Sequence, residues 1–227
     1  MSPGEFADKL ACRAEAAGFI LASELVETLR SYYQLLLTWN RKINLTAMNL
    51  EELPPDAVDR LFVEPAAAAR GVTPGSRIID IGSGGGSPAI PFALAAKGAF
   101  LTMVESRIRK SVFLQEAARV VALPAQVVTA RYEDAVERAE LQGAFEIVTI
   151  RAVRVSENSL RQLARLVAPG GSILLFQASE VASISPSLTA QTRQLTERAT
   201  LQVLALDNKV PRGTKASRVG SHVSRGT

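Results

Sequence analysis

From Arg77 onward the chain alternates two kinds of segment, and that alternation constrains the fold more than any other feature. The runs RIIDIG (77–82), FLTMVE (100–105), AQVVT (125–129), FEIVTI (145–150) and SILLF (172–176) are short, almost unbrokenly apolar and rich in β-branched residues. Between them lie SPAIPFALAAK, RIRKSVFLQEAARVVA and SENSLRQLARLVA, which carry helical periodicity. A strand that is apolar on both faces has no solvent side. Such runs therefore predict an α/β fold, with a mostly parallel sheet covered by helices on both faces. ATLQVLAL (199–206) fits a further strand, while SRVGSHVSR in the tail fits a weak edge strand or an unstructured end equally well.

Up to about residue 70 the pattern is helical throughout. Ser23 is placed to cap a helix running to about Arg41, with Leu25, Leu29, Tyr32, Tyr33, Leu36 and Leu37 as its apolar stripe. Pro54-Pro55 marks a break before a second helix that carries Val58, Leu61, Phe62 and the alanines 66–69 and stops at Gly71. The exit from the first helix, TWNRKINLTA (38–47), crowds amides and cations onto an otherwise apolar segment.

Composition excludes several classes. With 227 residues and 47% hydrophobic content the chain can bury one sizeable α/β core plus an appendage. No apolar run reaches the roughly 18 residues of a membrane span, and MSPGEFADKL has acids where a signal peptide has cations, so a cytoplasmic protein is expected. One cysteine, Cys12, and one histidine, His222, rule out an internal disulfide and a zinc cluster, and no metal is expected. The net charge of +4 comes from residues 207–227, where Lys209, Arg212, Lys215, Arg218 and Arg225 face only Asp207. The body is neutral, so cationic patches there (Arg107, Arg109, Lys110 and Arg119; Arg151 and Arg154) act by placement rather than by total charge.

Asp80-Ile81-Gly82-Ser83-Gly84-Gly85-Gly86 follows the first strand and opens a helix. Its glycines let the backbone turn sharply and approach a ligand, at the crevice where open α/β sheets bind nucleotides. Ser87-Pro88 interrupts the spacing that a dinucleotide fingerprint requires. Asp80 can orient the loop or meet a cationic ligand such as S-adenosylmethionine, whereas it would repel a pyrophosphate. Glu105 ends the second strand, where an acid accepts hydrogen bonds from ribose hydroxyls in either case. An adenosine ligand is indicated, and NAD and S-adenosylmethionine both remain candidates at this point.

DIGSGGGSPAIPFALA resembles the first motif of class I methyltransferases. Together with WNRKINLTA ahead of it and ESRIRKSVFL, ARYED and IRAV after it, in the family's order and spacing, it resembles the bacterial small-subunit (16S) ribosomal RNA guanine-N7 methyltransferase family (RsmG, or GidB). The resemblance implies a class I, Rossmann-like fold: a seven-stranded, mostly parallel sheet over 71–206, an N-terminal helical extension over 1–70, and a basic tail over 207–227. It implies S-adenosylmethionine as cofactor, held by Asp80, Gly82, Ser83, Gly84, Gly86, Ser87 and Glu105, with Tyr132 and Glu133 after the third strand and Arg151 after the fourth. Glu133 would lie near the adenine or cap the next helix, and Arg151 would meet the target base or pair with an acid. Arg41, Lys42, Arg107 and Lys110 are the expected contacts to RNA phosphate. Trp39 would pack the extension onto the catalytic domain while Asn44 ends the helix in a left-handed conformation; alternatively Asn40, Arg41 and Lys42 face the RNA. The chain departs from the family pattern at Arg60-Leu61-Phe62-Val63-Glu64-Pro65, where a His and Asp-Ser-Leu are usual, and at Gln177, where a lysine is usual.

Guanine N7 carries a free lone pair, so the implied methyl transfer needs no general base, in accord with a body devoid of histidine. Positioning would supply most of the catalysis, with Arg151 donating to guanine O6 or a phosphate. The partners implied are small-subunit ribosomal RNA or the ribosomal particle, with the protein acting as a monomer and no membrane involved. A methyltransferase for a small molecule, a non-catalytic RNA-binding assembly factor and an NAD-dependent oxidoreductase are the rival readings; the last lacks a Tyr-x-x-x-Lys or catalytic histidine arrangement.

Overall fold

Seven strands form one sheet in the computed structural model, which describes residues 1–151, 156–176 and 188–206. They are β1 (Arg77–Ile81), β2 (Phe100–Glu105), β3 (Ala125–Thr129), β4 (Phe145–Arg151), β5 (Val167–Phe176), β6 (Leu188–Gln194) and β7 (Thr200–Leu206), in the spatial order β3-β2-β1-β4-β5-β7-β6. The first five pair in parallel, and β7 runs antiparallel between β5 and β6. Because β1 has β2 on one side and β4 on the other, the order reverses there and a crevice opens beyond the carboxyl ends of both strands.

Alternation along each strand sends successive side chains to opposite faces. Ile78, Leu101, Met103 and Leu174 join a cluster that also contains the N-terminal helices, whereas Ile79, Ile81, Val104, Val148 and Ile150 join a second cluster on the other face. The first face is covered by α1 (Pro3–Ala16), α2 (Ser23–Asn40), α3 (Pro55–Val58), α4 (Glu64–Ala69), α5 (Ala89–Ala95) and α6 (Ile108–Val120). On the second lie α7 (Tyr132–Val136) and α8 (Glu157–Ala164). Within the extension Phe6 stacks on Tyr33 at 5.1 Å and meets the edge of Phe62 at 5.5 Å. Trp39 packs against Phe113 of α6, with ring centroids 5.8 Å apart, a pair worth about 0.5–1.5 kcal/mol beyond its area.

Four expectations are corrected in detail. The N-cap of α2 is Ala22, and no side chain caps it, so Ser23 is the first helical residue and not the cap. The helix ends at Asn40, four residues before Asn44, and Asn44 is not among the positive-φ residues. Its expected role falls to Asn40, whose Oδ1 accepts from the amides of Leu45 and Thr46, each at 2.9 Å. The helix over SENSLRQLARLVA stops at Ala164, and Val167-Ala168 already belongs to β5. Finally, β6 was not anticipated: LTAQTRQ is an edge strand, and Thr189 to Gln194 are exposed save the half-buried Arg193. Without a covered face it needs no apolar pattern. The tail 207–227, Gln177 and Arg154 lie outside the described residues.

Candidate functional site

The glycine turn after β1 is held from two sides. From β2, Val104 O accepts from the amides of Gly82 (2.9 Å) and Ser83 (3.1 Å), and Glu105 Oε2 accepts from Gly84 N at 2.9 Å. Glu105 Oε1 takes the amide of Arg107 at 2.8 Å, so one carboxylate ties the loop to the start of α6. From the extension, the fully buried Tyr32 donates its hydroxyl to Gly85 O at 2.5 Å. A Cβ on Gly85 would stand 3.1 Å from Leu45 O, so the chain leaving α2 lies directly on the loop. That contact explains TWNRKINLTA: Trp39 anchors the helix end, Asn40 folds the next residues back through their amides, and Leu45 closes over the glycines.

Two cavities meet at Gly82. The larger, about 310 Å³, is lined by Ile81, Gly82, Val104, Glu105, Ser106 and the segment from Ala130 to Glu133. It thus unites Gly82, Glu105, Tyr132 and Glu133 of the expected cofactor set. The smaller, about 170 Å³, unites Gly82, Ser83, Gly84, Ser87 and Arg151 with Leu36, Leu45, Thr46, Arg60 and Leu61. Asp80 and Gly86 line neither; they lie beneath the loop, 1% exposed and buried respectively. Of the expected RNA contacts, Arg41, Lys42 and Arg107 are exposed and Lys110 is half-buried. Arg41 shares an open ion pair with Glu51 at 2.7 Å, an arrangement worth at most about 1 kcal/mol and easily exchanged.

Arg151 is buried, and its guanidinium is fully engaged at both terminal nitrogens. Nη2 pairs with Glu64 Oε2 at 2.8 Å, while Nη1 donates to Arg60 O and, at 3.2 Å, to Ser87 Oγ. The plane lies over the ring of Phe176, 4.7 Å from its centroid. Burial pulls the guanidinium pKa down to about 10, against the attraction of Glu64, so Arg151 stays protonated at neutral pH. Burial likewise raises the Glu64 carboxyl, against the pull of Arg151.

The carbonyl that Arg151 reaches comes from a π-helical turn, Asp59–Val63, inserted between α3 and α4, and Glu64 follows directly after it. In this turn the amide of Glu64 bonds Asp59 O rather than Arg60 O. Pro65 has no amide hydrogen, so Leu61 O loses its helical donor too. Those two freed carbonyls are the ones met by Arg151 Nη1 and by Ser87 Oγ, the latter 2.9 Å from Leu61 O. Glu64 and Arg60 had no functional signal in the sequence beyond their place in a segment that departs from the family pattern.

Asp80 lies under the loop and accepts from Thr149 Oγ1 at 2.5 Å. Burial raises its pKa from 3.8 to about 6, in spite of hydrogen bonds from Thr149 and Ser83 and the charge of Arg151. The folded state therefore binds this proton more tightly than the unfolded chain does. The contribution favours folding below pH 4 and is lost as pH rises through 6, by up to about 3 kcal/mol. Asp80→Asn cannot titrate. Its stability relative to wild type, measured by urea unfolding, is expected to improve progressively from pH 4 to pH 7; a difference independent of pH would show that Asp80 is not held in this way.

An open sheet of this order, with a glycine turn after β1 over an acid that ends β2, defines a class I S-adenosylmethionine-dependent methyltransferase. The fold is shared with a SAM-dependent methyltransferase from Aquifex aeolicus (TM-score 0.50, 10% identity, 69% of this chain and 95% of that one) and with cofactor-bound Rv0187 from MTB (TM-score 0.54, 17% identity, 84% and 92%). A family model described as rRNA small subunit methyltransferase G (GidB) matches residues 25–208, and the chain belongs to that family. Proteins named ribosomal RNA small subunit methyltransferase G are 36% identical over 163 residues in Burkholderia thailandensis (70% of each chain) and 28% identical over 197 residues in Myxococcus xanthus (86% of this chain, 88% of that one). The larger cavity fits the cofactor: Ile81 and Val104 offer apolar wall to a base, and Glu105 keeps acceptor capacity for a diol. Among the described residues no helix is long and apolar enough to cross a membrane, and no group of three or more His, Cys, Asp or Glu is arranged to hold a metal ion.

Proposed function

We propose that this protein methylates N7 of a guanine in small-subunit (16S) ribosomal RNA, using S-adenosylmethionine, in the cytoplasm and as a monomer. The observation that carries the reading is the meeting of two cavities at Gly82, one suited to a nucleoside and one reaching Arg151 beneath the exit of α2. When bound, S-adenosylmethionine supplies an electrophilic methyl group on a sulfonium. Gly82, Glu105, Tyr132 and Glu133 would hold its nucleoside end, and Ser83, Gly84 and Ser87 would flank its other end. The acceptor would enter by the smaller cavity, whose walls of Leu36, Leu45 and Leu61 exclude water around the base.

Guanine N7 needs no deprotonation, and none of the described residues is a histidine. The work left to the chain is orientation, which can supply several kcal/mol when the reacting atoms are held about 3 Å apart. Arg41, Lys42, Arg107 and Lys110 would take RNA phosphates, and a folded loop must be unstacked to deliver its base. The names of the relatives and the family support the RNA substrate. Mass spectrometry of 16S ribosomal RNA from cells lacking the protein is expected to miss one methylguanosine that returns on complementation. An unchanged methylation pattern in the deletion strain would refute the proposal.

A further inference from the structure

The smaller cavity holds two arginines in opposite circumstances. Arg151 is 8% exposed, with Nη1 and Nη2 committed to Arg60 O, Ser87 and Glu64. Arg60 lines the same cavity but is exposed. Its carbonyl is engaged within the fold, whereas its side chain makes no hydrogen bond or ion pair among the described residues.

The surrounding acids do not neutralise it. Asp59, its neighbour in the turn, is clamped by Arg13 through two bonds of 2.8 and 2.5 Å. Glu64 is taken by Arg151 at 2.8 Å. The Arg60 charge is felt at both members of that pair, lowering the pKa of each. The backbone beneath Arg60 is fixed, because its π-helical turn is bonded by Ser87 and Arg151. A free guanidinium on a rigid turn, beside a cavity walled in part by Leu36, Leu45 and Leu61, concentrates positive potential where an anion would arrive. π-Helical insertions often sit at functional sites.

On the reading that this cavity receives a ribosomal RNA guanine, we propose that Arg60 binds the phosphate of the nucleotide that enters it. Arg151 then holds the cavity wall in place, and of the two cavity arginines Arg60 is the one that touches RNA. Bidentate donation from Arg60 to N7 and O6 would block the atom to be methylated, so the phosphate is the partner that leaves N7 open.

The test compares wild type, Arg60→Gln and Arg60→Lys on small ribosomal subunits isolated from the deletion strain. Because the Arg60 side chain is exposed and unbonded, both variants should melt and bind S-adenosylhomocysteine as wild type does. Arg60→Gln is expected to raise the KM for the particle about tenfold, with kcat changed by less than about twofold, and to reduce the salt slope of RNA binding by about one. Arg60→Lys keeps the charge and should restore most of the KM and the slope. An Arg60→Gln enzyme with wild-type KM and salt slope overturns the assignment, as does a raised KM with an unaltered slope, which would indicate contact with the base. If wild type itself binds S-adenosylhomocysteine yet transfers no methyl group to the particle, the functional reading fails first and the inference falls with it.

Discussion

Replacing Gly86 with valine is expected to abolish binding of S-adenosylhomocysteine and to remove roughly 2–5 kcal/mol of stability. Gly86 has φ +87°, and a Cβ there would stand 2.9 Å from Ile90 Cδ1, 3.1 Å from the Tyr32 hydroxyl and 3.4 Å from Leu114 Cδ2. The left-handed conformation costs a residue with a Cβ about 1–2 kcal/mol, and overfilling a packed site costs about 1–3 more. Tyr32 cannot step aside without releasing Gly85 O, because it is fully buried and bonded there. The strain would therefore pass into the loop that faces both cavities. Isothermal titration and denaturant unfolding measure the two effects, and a Gly86→Val protein that bound ligand normally would show that the turn does not form the cofactor cradle. Gly86→Ala should fall between it and wild type.

The second large effect is expected at the Arg151 and Glu64 pair. Removing one member of a buried ion pair leaves the other uncompensated, typically at a cost of about 3–5 kcal/mol. Arg151→Ala strands the half-buried Glu64, whose side chain is 13% exposed, and Arg60 O loses a donor as well. Without Arg151 the Glu64 carboxyl, already raised by burial, has less to hold it down. A raised carboxyl favours the folded state at low pH and withdraws that support as pH rises, so Arg151→Ala should be less destabilised near pH 5 than near pH 8. Combining Arg151→Met with Glu64→Gln removes both charges and should recover at least about 1 kcal/mol relative to the sum of the single changes. Methyl transfer then separates two roles. If Arg151 only braces the cavity, the refolded double variant regains activity; if it also touches the acceptor, the double variant folds and stays inactive. Purely additive destabilisation, or a loss that does not depend on pH, would count against the pair as described.

The sheet was legible because its requirement is local. A strand covered on both faces must be apolar at nearly every position, and RIIDI, FLTMV and FEIVTI declare this without reference to any partner. The glycine turn was legible for a similar reason, since close backbone approach and positive φ restrict the residue type at the position itself. Glu105 followed from its place at the end of β2. The strand β6 left no mark because an exposed edge imposes no pattern. The signature after α2 stood out in the sequence, but its purpose did not: Asn40 rather than Asn44 organises the turn, and Leu45 closes on Gly85.

By itself, then, the sequence determined the covered parallel sheet, the glycine turn and its acid, and a conspicuous helix exit, each of which follows from what one short segment demands of its own residues. Only the tertiary structure decided which of two arginines is free. Arg151 meets Glu64 across 87 positions of chain and takes one of the two carbonyls that a π-helical turn and Pro65 release, while the Arg60 side chain stays exposed. Residue type fixes which charges and hydrogen-bonding groups exist; folding brings distant ones within 3 Å of each other, and that proximity determines which are neutralised and which are left to meet a ligand.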